Sequence, residues 1–258
     1  MTFSFIAGLD RLRAHVPSLR SRSGRVRLLV SALAALGLPT AYFVLLDKFF
    51  AAWMPDGEIV VLALGFLILS RFFSQKQRYQ ARFGDQAYAR ALTSFVMPGL
   101  GMVFASILHL AYIPGPHIPQ VWWKPFLIAL GWLSLAVAAV LWWRAVSALG
   151  ADYLAMLHVY HPEDRRLVDW SIYRVIRHPV YAAALHISTG LALVHANWYA
   201  LLVALVIPLF FLGWIALVEE KELTGQIPGY QEYRRSVPAF TPRIRDLGTF
   251  WRILILGA

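Results

Sequence analysis

The chain has 258 residues, of which 59% are hydrophobic and 15% charged, whereas about a quarter of the residues are charged in an average soluble protein. This composition excludes a soluble globular fold, because such a fold cannot bury so much apolar surface. The lack of cysteine excludes disulfides, thiolate metal ligands and a cysteine nucleophile. The net charge of +10 would fit a nucleic-acid partner, but its distribution along the chain indicates a membrane topology instead, so no nucleic-acid partner is expected.

Six apolar runs predict an all-α polytopic membrane protein with about six transmembrane helices, because roughly 20 apolar residues are needed to cross the hydrocarbon layer. The predicted spans are 28–50, 58–73, 91–113, 125–149, 180–194 and 198–218. Residues 1–27 mix apolar residues with arginines, which favours either a basic amphipathic helix on anionic headgroups or a disordered basic tail. The apolar run at the C-terminus is too short to span and is expected to lie at the interface.

Lysine and arginine residues cluster in every second segment between the predicted spans. In a six-span topology, one side holds nearly all of the 24 lysine and arginine residues, and the exceptions are Lys48, Lys124 and Arg144. By the positive-inside rule that side is cytoplasmic, so both termini are expected in the cytosol. Arg144 is predicted to extend from the end of its span to the headgroups, with a role in binding a substrate headgroup as the alternative.

The last two apolar runs predict a helical hairpin, because only residues 195–197 separate them. A turn this short brings Arg177 and His178, before the first helix, beside Glu219 and Glu220, after the second. Charged residues at the ends of spans are often simple headgroup anchors. Further aromatic and hydrogen-bonding groups lie near the same end of the hairpin, at 150–153, Tyr173, Arg174 and 229–235. This clustering favours a site that encloses a polar ligand.

Four motifs occur in order around the hairpin: Tyr173-Arg174-x-x-Arg177-His178-Pro179-x-Tyr181, Glu219-Glu220, Gly229-Tyr230-x-x-Tyr233 and Val237-Pro238-x-Phe240-x-Pro242. Together they resemble the integral-membrane methyltransferases, a family that includes isoprenylcysteine carboxyl methyltransferase and the phospholipid N-methyltransferases. The resemblance extends over residues 141–244. The family commonly has Thr-x-Gly-Pro before the Tyr-Arg pair, where this chain has Asp169-Trp170-Ser171-Ile172.

The resemblance implies an enzyme that uses S-adenosylmethionine, held on the cytosolic side by the C-terminal helices. It implies cofactor-binding roles for Gly150, Tyr153, Arg177, His178, Pro179, Tyr181, Glu219 and Glu220. The residues expected to act in catalysis are Arg174, His178 and Glu219. An arginine would hold the carboxylate of the cofactor, a glutamate its cationic or hydroxyl groups, and His178 or a glutamate could accept a proton from an amine acceptor.

The acceptor implied by the resemblance is a lipid-like or small hydrophobic molecule that enters from the membrane. A prenylated cysteine carboxylate, a phospholipid amine, a small thiol and a quinone-like lipid all fit this description. The alternative function is an NADPH-dependent membrane reductase of the sterol type, which has a related C-terminal cofactor pocket. A non-catalytic scaffold or transporter is a third possibility, although transporters tend to carry polar groups at the middle of the membrane.

The chain is expected to divide into four parts: a basic amphipathic segment at 1–27, transmembrane helices of unassigned role at 28–124, a methyltransferase-like core at 125–248 and an interfacial tail at 249–258. No metal site is expected. His109, His186 and His195 have no acidic residues at ligand spacing along the sequence, so they are predicted to be packed or interfacial.

Overall fold

The computed structural model describes residues 4–161, 163 and 165–257, and no β-strand occurs among them. Residues 1–3 of the predicted amphipathic segment and residue 258 of the predicted tail lie outside the described residues. The helices are α1 Ser4–His15, α2 Arg22–Phe49, α3 Asp56–Ser74, α4 Lys76–Phe83, α5 Ala87–Ala91, α6 Met97–His109, α7 Lys124–Leu149, α8 Ala151–Leu154, α9 Leu157–Tyr160, α10 Pro179–His195, α11 Trp198–Trp214, α12 Glu220–Gln226, α13 Tyr230–Ser236 and α14 Leu247–Leu256.

Five helical segments of the described chain are long and apolar enough to cross a membrane: Arg22–Phe49, Asp56–Ser74, Lys76–His109, Lys124–Leu149 and Trp198–Gln226. The remaining predicted span corresponds to α10, whose 17 residues reach about 26 Å at 1.5 Å per residue. The predicted all-α, multi-pass membrane fold is confirmed. The third segment begins at Lys76 rather than at residue 91, because α4, α5 and a π-helical turn at Leu92–Val96 precede α6 in one helical segment.

The N-terminal transmembrane helices α2, α3 and α6 are joined by a buried polar cluster. His109 of α6 contacts Asp47 of α2 through Nε2 at 3.2 Å, and its Nδ1 makes a short hydrogen bond with Glu58 of α3. Phe43 stacks on the imidazole with ring centroids 4.4 Å apart. His109 is packed in the interior, in agreement with its prediction, and its acidic partners come from two other helices and are distant in sequence.

The most extensive helix pair is α7 with α10. Two glycines allow this close approach. A Cβ on Gly190 would lie 2.9 Å from the carbonyl oxygen of Gly131, and a Cβ on Gly131 would lie 2.9 Å from the carbonyl oxygen of Gly190. Near the same crossing, Ser134 Oγ lies 3.0 Å from the carbonyl oxygen of His186 and donates a hydrogen bond to it. Small residues at helix crossings are a common means of packing membrane helices.

The hairpin of α10 and α11 turns as tightly as its sequence predicts. Ala196 adopts the left-handed conformation after the last residue of α10, with φ of 52°. Asn197 then caps α11, since its side-chain oxygen accepts hydrogen bonds from the backbone N–H groups of Tyr199 and Ala200 at 2.8 and 3.3 Å. The two helices therefore run antiparallel, and the N-terminus of α10 lies near the C-terminal end of α11.

The C-terminal tail forms α14, which packs against α7 and buries Phe250, Ile253 and Leu254. Arg144 of α7 donates hydrogen bonds to the carbonyl oxygens of Leu254 and Ile255, at 3.1 and 3.0 Å. Arg144 thus satisfies carbonyl groups that the end of a helix leaves without partners. Its contacts tie the tail to the last span before the hairpin.

Candidate active site

A cavity of about 290 Å³ lies against the open end of the α10–α11 hairpin, close to the lower end of the usual range for small-molecule sites, about 300–1,000 Å³. Its lining includes the apolar residues Leu100, Val103, Phe104, Ile107, Trp142 and Phe211. It also includes the polar and aromatic residues Tyr153, His158, Arg166, Tyr173, Arg177, His178, Tyr181, Glu219, Glu222, Tyr230 and Tyr233. A ligand that carries both polar and hydrophobic groups would match this lining.

The two adjacent glutamates lie where α11 passes through a π-helical turn, Ile215–Glu219, before α12 begins at Glu220. The side chain of Glu219 is 22% exposed and lines the cavity, whereas that of Glu220 is 5% exposed and does not line it. The two carboxylates therefore have different surroundings, although they are consecutive in sequence. π-Helical turns of this kind are frequent at functional sites.

Glu220 joins the ends of the hairpin through ion pairs. Its carboxylate accepts hydrogen bonds from Arg177 Nη2 at 2.6 Å and Nε at 3.1 Å, and Arg234 Nε lies 2.8 Å from its second oxygen. Arg177 also donates to the carbonyl oxygens of Arg234, at 2.7 Å, and of Val237. This network fixes the start of α10 to α12 and to the segment after α13, and so holds one end of the cavity in place.

His178 connects the two glutamates. Its Nε2 lies 3.3 Å from Glu220 and its Nδ1 3.8 Å from Glu219, while its ring stacks on Tyr181 with centroids 5.7 Å apart. Trp214 donates to the Tyr181 hydroxyl at 3.3 Å. Glu219 Oε2 is buried without a hydrogen-bond partner among the described residues. Because an unpaired buried carboxylate oxygen is costly, this atom is the strongest indication that the cavity takes a ligand with a hydrogen-bond donor or positive charge.

A second polar group includes Tyr153, His158 and Arg166, which also line the cavity. Arg166 pairs with the buried Asp152 at 3.0 Å and lies over the ring of Tyr153, 4.5 Å from its centroid. Burial alone would raise the pKa of Asp152, but the hydrogen bond and charge of Arg166 hold it below its ordinary value. His158 stacks on Tyr153 with centroids 4.3 Å apart, and burial, together with the charge of Arg165, lowers the pKa of His158 to about 4.

The structure places the predicted site residues in three groups. Tyr153, Arg177, His178, Tyr181 and Glu219 line the cavity. Three others lie buried without lining it: Glu220 in the ion-pair network, Pro179 in the first turn of α10 and Gly150 at the junction of α7 and α8. Arg174 is exposed and does not line the cavity. The functional roles of all these residues remain predictions.

Sequence reasoning missed His158, Arg166 and Glu222, which all line the cavity. Arg166 and His158 belong to the long polar connection before the hairpin, and Glu222 follows the glutamate pair by two residues. The available signal was the acidic Asp152, which follows α7 directly and needs a basic partner once it is buried. Two adjacent arginines, Arg165 and Arg166, occur in the same connection.

The departure from the family's Thr-x-Gly-Pro pattern has a structural counterpart. Ser171 occupies the position that corresponds to the glycine, and its φ is 54°, a left-handed value that glycine adopts readily and serine does not. The backbone of this loop therefore has a glycine-like conformation at a residue that is not glycine. The loop leads directly into Tyr173, which lines the cavity.

Comparison with known proteins finds methyltransferases among the relatives of this chain. Residues 126–227 match the family model for phospholipid methyltransferase. The chain is 27% identical over 143 residues to protein-S-isoprenylcysteine O-methyltransferase B of Arabidopsis thaliana, in an alignment that covers 54% of this chain and 69% of that protein. It is also 31% identical over 128 residues to the cobalt-zinc-cadmium resistance protein CzcN of Cupriavidus metallidurans, covering 48% of this chain and 52% of the relative.

The chain thus spans about half the length of the second relative. No solved structure matches it significantly. The matched segment, 126–227, contains almost all of α7, the hairpin and both glutamates, and so includes most of the polar residues that line the cavity. The resemblance predicted from the motifs is confirmed: residues 126–227 match the phospholipid methyltransferase family model, and the chain is similar to an isoprenylcysteine O-methyltransferase.

Proposed function

We propose that this protein is an integral-membrane methyltransferase that transfers a methyl group from S-adenosylmethionine to a lipid-like or small hydrophobic acceptor at the cytosolic face. The observation that carries this proposal is the unpaired oxygen of Glu219. The cations that line the cavity, Arg166 and Arg177, are both in ion pairs with buried carboxylates. Among the described residues Glu219 has no arginine or lysine partner, and its neighbours are His178, with Nδ1 at 3.8 Å, and the hydroxyl of Tyr181. This favours a cationic ligand.

The residues of the cavity fit the chemical groups of this cofactor. Its sulfonium and ammonium are cations and its ribose carries hydroxyls, so Glu219 can accept hydrogen bonds or balance positive charge. The aromatic faces of Tyr181 and Tyr230, which also line the cavity, attract cations. Arg177 is paired with Glu220, so its role is to position the start of α10, beside His178 and Tyr181, at the cavity.

When bound, S-adenosylmethionine supplies an electrophilic methyl group. The protein's task is then to align the acceptor and exclude water, since methyl transfer is an in-line displacement. The apolar residues of α6 that line the cavity, Leu100, Val103 and Phe104, suit a hydrophobic acceptor from the membrane. For an amine acceptor, His178 can take up the proton at Nδ1, and the resulting imidazolium would lie between Glu219 and Glu220. A carboxylate or thiolate acceptor needs no base.

The reductase alternative receives less support from the cavity. The 2′-phosphate of NADPH requires cationic groups that are free to bind it. Among the described residues that line the cavity, Arg166 and Arg177 are the arginines, and each already holds a buried carboxylate. Using either for a phosphate would leave Asp152 or Glu220 buried without its partner, which is strongly unfavourable.

Binding measurements test the proposal. We expect S-adenosylmethionine and S-adenosylhomocysteine, but not NADPH, to bind the detergent-purified protein in isothermal titration calorimetry. In Glu219→Gln, which keeps the shape of the side chain and removes its charge, affinity for S-adenosylmethionine should fall at least tenfold. Glu232→Gln is the matched control, because Glu232 is exposed on α13. Unchanged affinity in Glu219→Gln, or preferential binding of NADPH, would contradict the proposal.

The acceptor class can be identified directly. The purified protein is incubated with membrane lipid extract and S-adenosylmethionine carrying an isotopically labelled methyl group, and the lipids are analysed by mass spectrometry. We expect a labelled lipid that is absent when Glu219→Gln replaces the wild-type protein. If label appears on a water-soluble molecule alone, the lipid-like part of the proposal is wrong while the methyltransferase part stands.

A further inference from the structure

Outside the cavity, two histidines and a glutamate come together near the end of α1. His15 is the last residue of α1, and His161 and Glu163 follow α9. One donor atom from each of the three residues lies within 4.8 Å of the others. The two imidazole rings have centroids 3.7 Å apart, and His161 Nδ1 lies 3.1 Å from Glu163 Oε1. Among the described residues, this is the group of three potential metal donors with such spacing.

The donor set matches a transition-metal site. Two imidazoles and one carboxylate, with a fourth position left to solvent, form a common ligand set for Zn²⁺. Ligands bound at about 2.0–2.2 Å in a tetrahedral site are about 3.3 Å from one another, close to the separation of His161 and Glu163. The side chains of His161 and Glu163 are 20% and 65% exposed, so an ion can reach them from water.

The site would join α1 to a part of the chain that borders the cavity. α1 packs against α8, and Gly8 permits this contact, because a Cβ there would lie 2.3 Å from Asp152 Oδ1. Arg11 of α1 lies 3.2 Å from Asp152, which also holds the cavity residue Arg166. A metal on His15 and His161 would therefore fasten α1 over the segment between α8 and the hairpin.

We propose that His15, His161 and Glu163 bind a divalent transition metal of the Zn²⁺ class and that the bound metal fixes α1 to the segment that follows α9. The site is separate from the residues proposed to bind S-adenosylmethionine. Metal binding and cofactor binding can therefore be measured independently, and the failure of one proposal leaves the other in place.

The test uses the full-length protein in detergent without a polyhistidine tag, after dialysis against a chelator. Zn²⁺ is titrated by calorimetry, and Co²⁺ by its visible absorption, which is intense in tetrahedral sites. We expect one ion per chain and at least a tenfold loss of affinity in His161→Ala and in Glu163→Gln. Glu163 is exposed, so its variant should fold even if changes at His15 or His161 impair folding.

The matched control is His117→Ala. His117 and His195 also form a close pair, with ring centroids 5.0 Å apart, but they are not part of the three-donor group found among the described residues. Zn²⁺ should bind this variant as it binds the wild type, and should raise the Tm of both. The proposal is overturned if the wild type binds no stoichiometric metal, or if Glu163→Gln and His161→Ala bind it as tightly as the wild type.

Discussion

At the scale of single residues, adjacent side chains in the candidate site have different tasks. Arg177 and Glu220 form an ion pair with each other, and Arg177 also donates a hydrogen bond to a backbone carbonyl, so the two residues position the ends of the hairpin. His178 and Glu219, each next to one of these residues, line the cavity. Each motif thus provides one residue that holds the structure together and one that can contact a ligand.

His158 makes the stability of the protein depend on pH. An unfolded histidine has a pKa near 6.5, whereas burial lowers the pKa of folded His158 to about 4. Between these two pKa values the unfolded histidine binds a proton that the folded one does not. The free energy of unfolding is therefore at its full value above pH 6.5 and decreases as the pH falls from 6.5 towards 4. Between pH 7 and 5 the loss is about 2 kcal/mol.

We expect the Tm in detergent to fall less between pH 7 and 5 for His158→Gln than for the wild type. The comparison isolates this residue, because other histidines titrate equally in both proteins. An identical fall in the two proteins would show that His158 is not kept neutral by its surroundings.

Ser171 provides a second prediction, based on its left-handed backbone. The left-handed conformation costs a non-glycine residue about 1–2 kcal/mol and is least accessible to β-branched residues. Ser171→Gly should therefore have a Tm equal to or above that of the wild type, and Ser171→Val should have a Tm several degrees lower. Equal Tm values for the glycine and valine variants would contradict the observed conformation.

Part of the site could be predicted from the sequence, and part of it depends on tertiary contacts that the sequence does not show. The hairpin, and the meeting of Arg177 and His178 with Glu219 and Glu220, follow from two apolar runs and a three-residue turn. The burial of Glu220 could not be predicted, because it depends on rotation about the helix axis at a π-helical turn. The exposure of Arg174 depends on the 3₁₀ turn Ser171–Arg174, which the sequence did not indicate. The Asp47–His109–Glu58 cluster was also out of reach, since its members come from three helices.

At the scale of helices, the glycines of α7 and α10 set the distance between these two helices. Gly190 on α10 faces Gly131 and Leu135 on α7, whereas a Cβ on Gly213 of α11 would meet nothing within 4 Å. Gly190→Val must push α7 and α10 apart. Overpacking of this kind costs about 1–3 kcal/mol. The first turn of α10 carries Tyr181, and His178 precedes the helix directly, so a shift of α10 would move both.

We expect Gly190→Val to lower both the Tm and the affinity for S-adenosylmethionine, while Gly213→Val changes neither. Thermal unfolding and calorimetry on the same detergent preparations measure the two effects. Wild-type behaviour of Gly190→Val would mean that α7 and α10 do not cross as closely as the structure places them.

At the scale of the whole molecule, the orientation in the membrane can be tested because the chain contains no cysteine. Trp122 is 91% exposed in the segment before α7, and Ser236 is exposed at the end of α13. Three predicted spans separate these positions, so they should lie on opposite sides, with Ser236 in the cytosol.

A membrane-impermeant maleimide should label Trp122→Cys on intact cells and Ser236→Cys in inside-out vesicles alone. If both variants react from the same side, the number of crossings between them is even and one predicted span does not cross. If each variant reacts from the opposite side to the expected one, the candidate site faces away from the cytosolic supply of methyl donor, and the proposed function is wrong.

Because of the π-helical turn at Ile215–Glu219, the site depends on the number of residues in this turn as well as on their identity. A π-helical turn contains one more residue than the α-helical turn it replaces. Deleting one residue there, such as Leu217, would restore the regular helix and rotate the following residues by about 100° relative to α11. Homologous sequences with every motif intact but one residue fewer in this turn would keep the signature and lose the pocket.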